Sequence, residues 1–234
     1  MFPIESNLQL IRAHIELAID ARSHANRNPV TLVGVSKTKS AECVRAAYLA
    51  GLRDFGENYL QEASAKIAAV AAMGVEGIVW HFIGPLQSNK LKLIAAQFDW
   101  VHGIDRLKVA NALSRHRGEM LPAPRALNVC VQVNVSGEAS KGGIDVQEVS
   151  AFAAQIARLP HLELRGLMAI IENTDDESTQ RAQFRRMRSL FEGLRNDGLE
   201  IDTLSMGMSQ DFAIAIDEGA TMVRIGSAIF GTRA

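Results

Sequence analysis

The chain has 234 residues, of which 47% are hydrophobic, and its 25 basic and 26 acidic side chains leave a net charge of −1. That supplies enough apolar material for a substantial core, and the near-neutral balance gives no electrostatic case for nucleic acid or an anionic membrane surface. No stretch approaches the ~18 apolar residues of a membrane span. Met1-Phe-Pro-Ile-Glu-Ser6 lacks the basic-then-apolar pattern of a signal peptide, and Cys43 and Cys130 lie far apart in apolar settings. A soluble cytoplasmic protein with buried, reduced thiols is expected.

In chain order, residues 5–26 read as an amphipathic helix, with Leu8, Ile11, Ile15 and Ala18 at helical spacing and Asn26-Arg-Asn-Pro29 as its stop. Thr31-Leu-Val-Gly-Val-Ser-Lys37 is an apolar strand with one lysine where the run ends. Ser40 is a candidate N-cap for a helix to Ala50, closed by Gly51. A short strand over 54–57 and a helix over 59–72 follow. Then come a strand over 78–83, a mostly helical stretch over 86–98, a strand over 100–103 and a helix over 106–117.

The same rhythm continues in the second half. Strands are expected over 127–134, 162–168, 203–206 and 221–225. Helices are expected over 146–158, 177–196 and 210–218, the second of them closed by Gly198. About eight strand-like segments alternate with helices, and no hairpin signal intervenes. That pattern argues for a parallel sheet, and eight units in a chain of this size point to a single-domain (β/α)8 TIM-like barrel over 1–234. An open doubly wound sheet is the competing architecture.

Barrel chemistry collects at the carboxyl ends of the strands. Lys37 stands at such an end, as do Asn58, His81 with Gly84, Asn134, Arg165 with Met168, Ser205-Met-Gly-Met-Ser209 and Arg224-Ile-Gly-Ser227. Alternation puts Lys37 in line with Val33 and Val35, and desolvation there would favour the neutral amine that attacks a carbonyl. A lysine that simply reaches back to water is the bland alternative. Ser205 to Asp211 runs from a strand into a helix start, a position whose free amides suit an anion, and Ile225-Gly-Ser227 offers a second such turn. Two ordinary strand-to-helix turns would carry the same residues.

A lysine together with a phosphate cradle suggests pyridoxal phosphate, whose aldehyde forms a Schiff base and whose phosphate needs an anchor. Arg224, between Val223 and Ile225, could then face the pyridine nitrogen, or else pair with Asp217 or Glu218. The six histidines form no His-x-x-x-His pair, and no Cys-x-x-Cys occurs, so no metal site is expected. The arginines of the 181–195 stretch fit a solvated helix face.

Several segments together resemble the pyridoxal phosphate homeostasis protein family, relatives of the alanine racemase barrel. They are Val35-Ser-Lys-Thr-Lys39, Phe55-Gly-Glu-Asn-Tyr59, His81-Phe-Ile-Gly-Pro-Leu-Gln-Ser-Asn-Lys90 and Arg165-Gly-Leu-Met168. To these add Leu204-Ser-Met-Gly-Met-Ser-Gln-Asp211 and Val223-Arg-Ile-Gly-Ser-Ala-Ile-Phe-Gly231. The resemblance implies an alanine racemase N-terminal-domain type of barrel that holds pyridoxal phosphate as an internal aldimine on Lys37. It implies Ser209, Gly226 and Ser227 at the phosphate, Arg224 at the pyridine nitrogen, and Asn58, His81 and Met206 lining the pocket. Where many members continue after Met168-Ala-Ile170 with a proline-containing loop, this chain has Ile171-Glu-Asn-Thr174. Lys141, in a loop that also resembles the family, either attracts the phosphate of moving cofactor or is an ordinary solvated lysine.

The function so implied is cofactor homeostasis: a carrier, expected to be monomeric, that gives up pyridoxal phosphate by amine exchange. Pyridoxal phosphate-dependent apoenzymes or free amino acids would be its partners. A pyridoxal phosphate-dependent amino-acid racemase is the alternative, and it would need a second acid/base on the opposite face of the cofactor. Only Tyr48 and Tyr59 offer a phenol. A barrel that binds another phosphorylated metabolite without covalent attachment is the third reading.

Overall fold

The computed structural model describes residues 3–22, 29–122, 124–138 and 141–232. Eight parallel strands close into a barrel in sequence order: β1 (Thr31–Val35), β2 (Asp54–Glu57), β3 (Val79–Phe82), β4 (Trp100–Ile104), β5 (Leu127–Gln132), β6 (Leu162–Met168), β7 (Thr203–Ser205) and β8 (Met222–Ile225). Closure is made by β1 against β8, with Val33 opposite Arg224 and Gly34 opposite Ile225.

Helices fill every connection, as parallel neighbours require. They are α2 (Ala41–Leu49), α3 (Leu60–Ala72), α4 (Leu91–Gln97), α5 (Leu107–Gly118), α6 (Val149–Ile156), α7 (Glu177–Asn196) and α8 (Phe212–Asp217). An additional helix, α1 (Ile4–Asp20), precedes the barrel and packs against α2, α8 and a last short helix, α9 (Ser227–Phe230). The face of α1 that does so carries Leu8, Ile11, Ile15 and Ile19, all buried. The expected stop at Asn26-Arg-Asn lies outside the described residues, and α1 already ends at Asp20.

Side chains alternate along each strand, so the barrel has two cores. Outward residues such as Leu32, Phe55, Phe82, Val129, Leu167 and Val223 meet the helices in the larger one. Inward residues Val33, Trp100, Cys130, Met168 and Met222 form a smaller one inside the barrel. Cys130 is fully buried there, whereas Cys43 is only half-buried, on α2. The remaining inward positions are polar, and they belong to the site. No helix among the described residues is long and apolar enough to cross a membrane.

Candidate functional site

Pairing in β1 stops at Val35, two residues before Lys37, because the chain turns: Lys39 N–H donates to the Ser36 carbonyl at 3.0 Å. Thr38 has φ +64°, a left-handed backbone that is an outlier for a β-branched residue. Such strain persists only where the surroundings enforce it. Here Thr38 N–H donates to Glu62 Oε1 at 2.5 Å. Lys66 Nζ donates to that same oxygen at 2.9 Å, to the Ser36 carbonyl at 2.7 Å and to Glu57 Oε1 at 2.6 Å. Ser36 Oγ completes the cluster with a 2.6 Å bond to Glu57 Oε1. Half-buried Lys37 is therefore held from both sides by a clamp built on α3 and the end of β2. Burial pushes the Glu57 carboxyl above its ordinary pKa, outweighing the Lys66 charge.

The clamp went unforeseen from the sequence, although a signal existed. Lys66 falls in the buried row of α3, with Leu60, Ala63 and Val70, where an unpaired ammonium cannot stay.

Across the same end of the barrel lie the loops after β7 and β8. Ser227 Oγ donates to Ser209 Oγ at 3.3 Å, so the two loops present their hydroxyls together. Gly207 has φ +93°, and a Cβ on it would stand 2.7 Å from Ala215 Cβ. Gly226 packs on β1, where a Cβ would lie 3.2 Å from the Val35 carbonyl oxygen. These two glycines keep both loops close to the strand that leads to Lys37. First-turn amides of helices lack intrahelical partners, and Ser227 begins α9.

Arg224 is 5% exposed and points into the barrel. Its Nη1 donates to Ser205 Oγ at 2.6 Å and its Nη2 to the Ala169 carbonyl at 3.0 Å. Asp217 and Glu218 do not pair with it; they bind Arg181, Arg185 and Arg188 of α7. Burial lowers the Arg224 pKa to about 10, against the opposing charge of Asp211, so it remains a cation at neutral pH. Beyond Ser205 the polar chain continues. His102 Nδ1 lies 3.0 Å from Ser205 Oγ, His81 Nδ1 3.0 Å from His102 Nε2, and Asp54 Oδ1 3.0 Å from His81 Nε2.

The other sequence candidates are spread more widely. Asn58 is half-buried after β2, and its Oδ1 is buried with no hydrogen-bond partner among the described residues. His81 is fully buried inside the barrel rather than on a pocket wall. Met206 is also fully buried, in the larger core, because it follows the inward Ser205 by one residue. Arg165 belongs to the opposite end of the barrel, where it bonds Asp202 just before β7 and Asn128 Oδ1. Lys141 pairs with Glu138 at 2.5 Å. Asn134 ties its own loop through the Glu138 carbonyl at 2.8 Å. Tyr59 is 51% exposed, and Tyr48 lies under the Arg53 guanidinium. No group of three or more His, Cys, Asp or Glu side chains among the described residues is placed to hold a metal ion.

Comparison with known proteins agrees with this fold. The family described as alanine racemase, N-terminal domain, matches residues 6–234. A pyridoxal phosphate homeostasis protein of Pseudomonas aeruginosa is 53% identical over 235 residues, spanning 100% of this chain and 97% of the relative. One from Escherichia coli K12 is 48% identical over 235 residues, spanning 100% and 98%. The solved structure of PipY from Synechococcus elongatus with pyridoxal phosphate bound superimposes with a TM-score of 0.84 at 34% identity, covering 97% of this chain and all of that one. Alanine racemase from Corynebacterium glutamicum shares the fold at a TM-score of 0.69 and 19% identity, covering 98% of this chain and 61% of that one. The chain belongs to the pyridoxal phosphate homeostasis protein family, built on the alanine racemase N-terminal-domain barrel.

Proposed function

We propose that this chain binds pyridoxal 5'-phosphate through Lys37 and acts in its intracellular homeostasis, holding the cofactor and giving it up by exchange with another amine. The observation that carries this reading is the buried Arg224 cation. Among the described residues its side chain makes hydrogen bonds only to neutral groups, Ser205 and Ala169, and these take two of its five N–H donors. A pyridine nitrogen is a neutral acceptor that suits the remaining donors. The orphaned Asn58 Oδ1 and the paired Ser209 and Ser227 hydroxyls fit a bound polar group at the same end of the barrel.

Bound there, pyridoxal phosphate would supply a carbonyl group that reacts with primary amines, and Lys37 is the residue that would hold it. Ser209, Ser227 and the Gly226 backbone would hold the phosphate. Asn58 would contact the ring, and Met206 and His81 would back the pocket from within the two cores. Arg224 keeps its own proton, so it would donate a hydrogen bond to the ring nitrogen and leave it unprotonated, which would make the ring a weak electron sink. That favours holding the cofactor over chemistry at an amino-acid α-carbon.

The test is the visible spectrum of purified protein and of Lys37→Ala, followed by borohydride reduction and peptide mapping. An imine band in the wild type, trapped on Lys37 and discharged by added amino acid, is expected. Proton exchange at the α-carbon of alanine on the same sample would instead indicate a racemase. A protein that stays colourless with added pyridoxal phosphate would overturn the reading.

A further inference from the structure

The chain from Asp54 to Arg224 joins five strands: β2, β3, β4, β7 and β8. It lies wholly inside the barrel, apart from Asp54, whose side chain is 27% exposed at the start of β2. An imidazole's tautomer is decided by what each of its nitrogens faces. The Asp54 end of this chain decides the direction, and the Arg224 end is compatible with it. At one end Arg224 can only donate, which takes one of the two Ser205 Oγ lone pairs and leaves the Ser205 proton available to His102 Nδ1. At the other end an ionised Asp54 can only accept, so His81 must carry its proton on Nε2. His81 Nδ1 then accepts, and the proton between the two rings sits on His102 Nε2. No group is left with donor facing donor.

We infer that Asp54, His81, His102 and Ser205 form a one-way hydrogen-bond relay, with each imidazole carrying its proton on Nε2, that fixes the Arg224 guanidinium toward the mouth of the barrel. The four are positioning residues for Arg224. Packing holds the rings in place: His81 stacks on Trp100 at 5.4 Å with an interplanar angle of 15°, and the two histidines meet edge to face at 5.2 Å.

The charges that face the relay are Asp54 from β2, Arg224 from β8, Arg165 from β6, which lies over the Trp100 ring, and Asp211 ahead of α8. The Cys130 thiol, from β5, is kept protonated by its burial. Burial, then His81, then Arg224 hold the His102 pKa well below its ordinary value, which agrees with a neutral ring. The effect on the cofactor rests on the function proposed above; the direction of the relay does not.

Nitrogen-15 side-chain NMR of the whole protein at pH 7, with rings assigned through His81→Gln and His102→Gln, tests the direction. Both rings are expected with the proton on Nε2. An imidazolium, or a proton on Nδ1, at either ring overturns the relay. Ser205→Ala removes the hydroxyl in the middle of the chain. It is expected to free the His102 tautomer and weaken pyridoxal phosphate binding about tenfold, with the fold monitored by circular dichroism. Asp54→Asn keeps an oxygen acceptor for His81 and is expected to retain both tautomers. Unchanged affinity in a folded Ser205→Ala would overturn the role in positioning Arg224. A wild-type protein that takes up no pyridoxal phosphate would overturn the proposed function instead, and the wild-type tautomers would still decide the relay.

Discussion

Lys66→Met removes the ammonium at the centre of the clamp around Lys37 while keeping most of its stem. Glu57 is fully buried, and in the variant its carboxylate would retain only the Ser36 hydroxyl at 2.6 Å. Breaking a buried pair from one side costs ~3–5 kcal/mol. The carboxylate has an escape, because it can protonate. For a carboxyl of ordinary pKa 4.5, that costs about 3.4 kcal/mol at pH 7. The Ser36 carbonyl also loses its 2.7 Å donor, worth ~1 kcal/mol. A deficit of ~4 kcal/mol at pH 7 follows from these two terms together.

The sign of its pH dependence is fixed. In the variant the folded-state pKa of Glu57 is raised above the unfolded value, so stability is greatest below about pH 4.5 and is lost as pH rises. Urea titrations at pH 5 and pH 7 should show the deficit shrinking at pH 5, by up to ~2.5 kcal/mol. Lys66→Met combined with Glu57→Gln should recover most of the loss. A deficit equal at both pH values would refute the reasoning, since the burden would then not be a buried charge. Affinity for pyridoxal phosphate should fall as well, because Thr38 keeps only one of its restraints.

Gly84→Ala would place a Cβ 2.1 Å from the Asn58 carbonyl oxygen and 2.8 Å from its Cα, both of them backbone atoms. A loss of ~3 kcal/mol by urea unfolding is expected, together with weaker cofactor binding, and a wild-type midpoint would contradict it. The depressed pKa of His102 means that the unfolded chain binds the extra proton. Stability should therefore decline as pH falls below about 6.5, by up to ~1.4 kcal/mol per pH unit, and His102→Gln should flatten that slope in the same titrations.

The eight strand–helix units were legible because strands buried on both sides read as apolar runs separated by amphipathic helices. Local geometry moved their ends. The strand expected over 31–37 stops at Val35 because Thr38 turns left-handed. The stretch over 86–98 begins as a 3-10 turn at Ser88–Lys90, and α6 spans only Val149–Ile156 of the expected 146–158. With four residues, α9 is too short to show a period. At the mouth, Lys37, Ser209, Arg224, Gly226 and Ser227 could be singled out from the sequence because each lies near or just beyond the end of a strand. Met206 was placed on the pocket although strand alternation alone turns it away once Ser205 faces inward. The relay was invisible because its partners are 19, 21, 27 and 103 residues apart, and only barrel closure brings them together.

Buried polar groups break the usual rule for a barrel interior, and such breaks cluster where function needs them. Here they form two separate systems. The clamp uses outward side chains, Glu57 and Lys66, and holds the residue that would grip the aldehyde. The relay uses inward side chains and aims the residue that would face the ring nitrogen. Both begin on β2, a strand of four residues with Asp54 at its start and Glu57 at its end. Three positions apart on a pleated strand, these two carboxylates face opposite sides. One strand can therefore anchor the lysine from outside the barrel and the arginine from inside it. The two residues proposed to meet the cofactor thus share a rigid support rather than a loop, which would keep their separation fixed as it arrives and leaves.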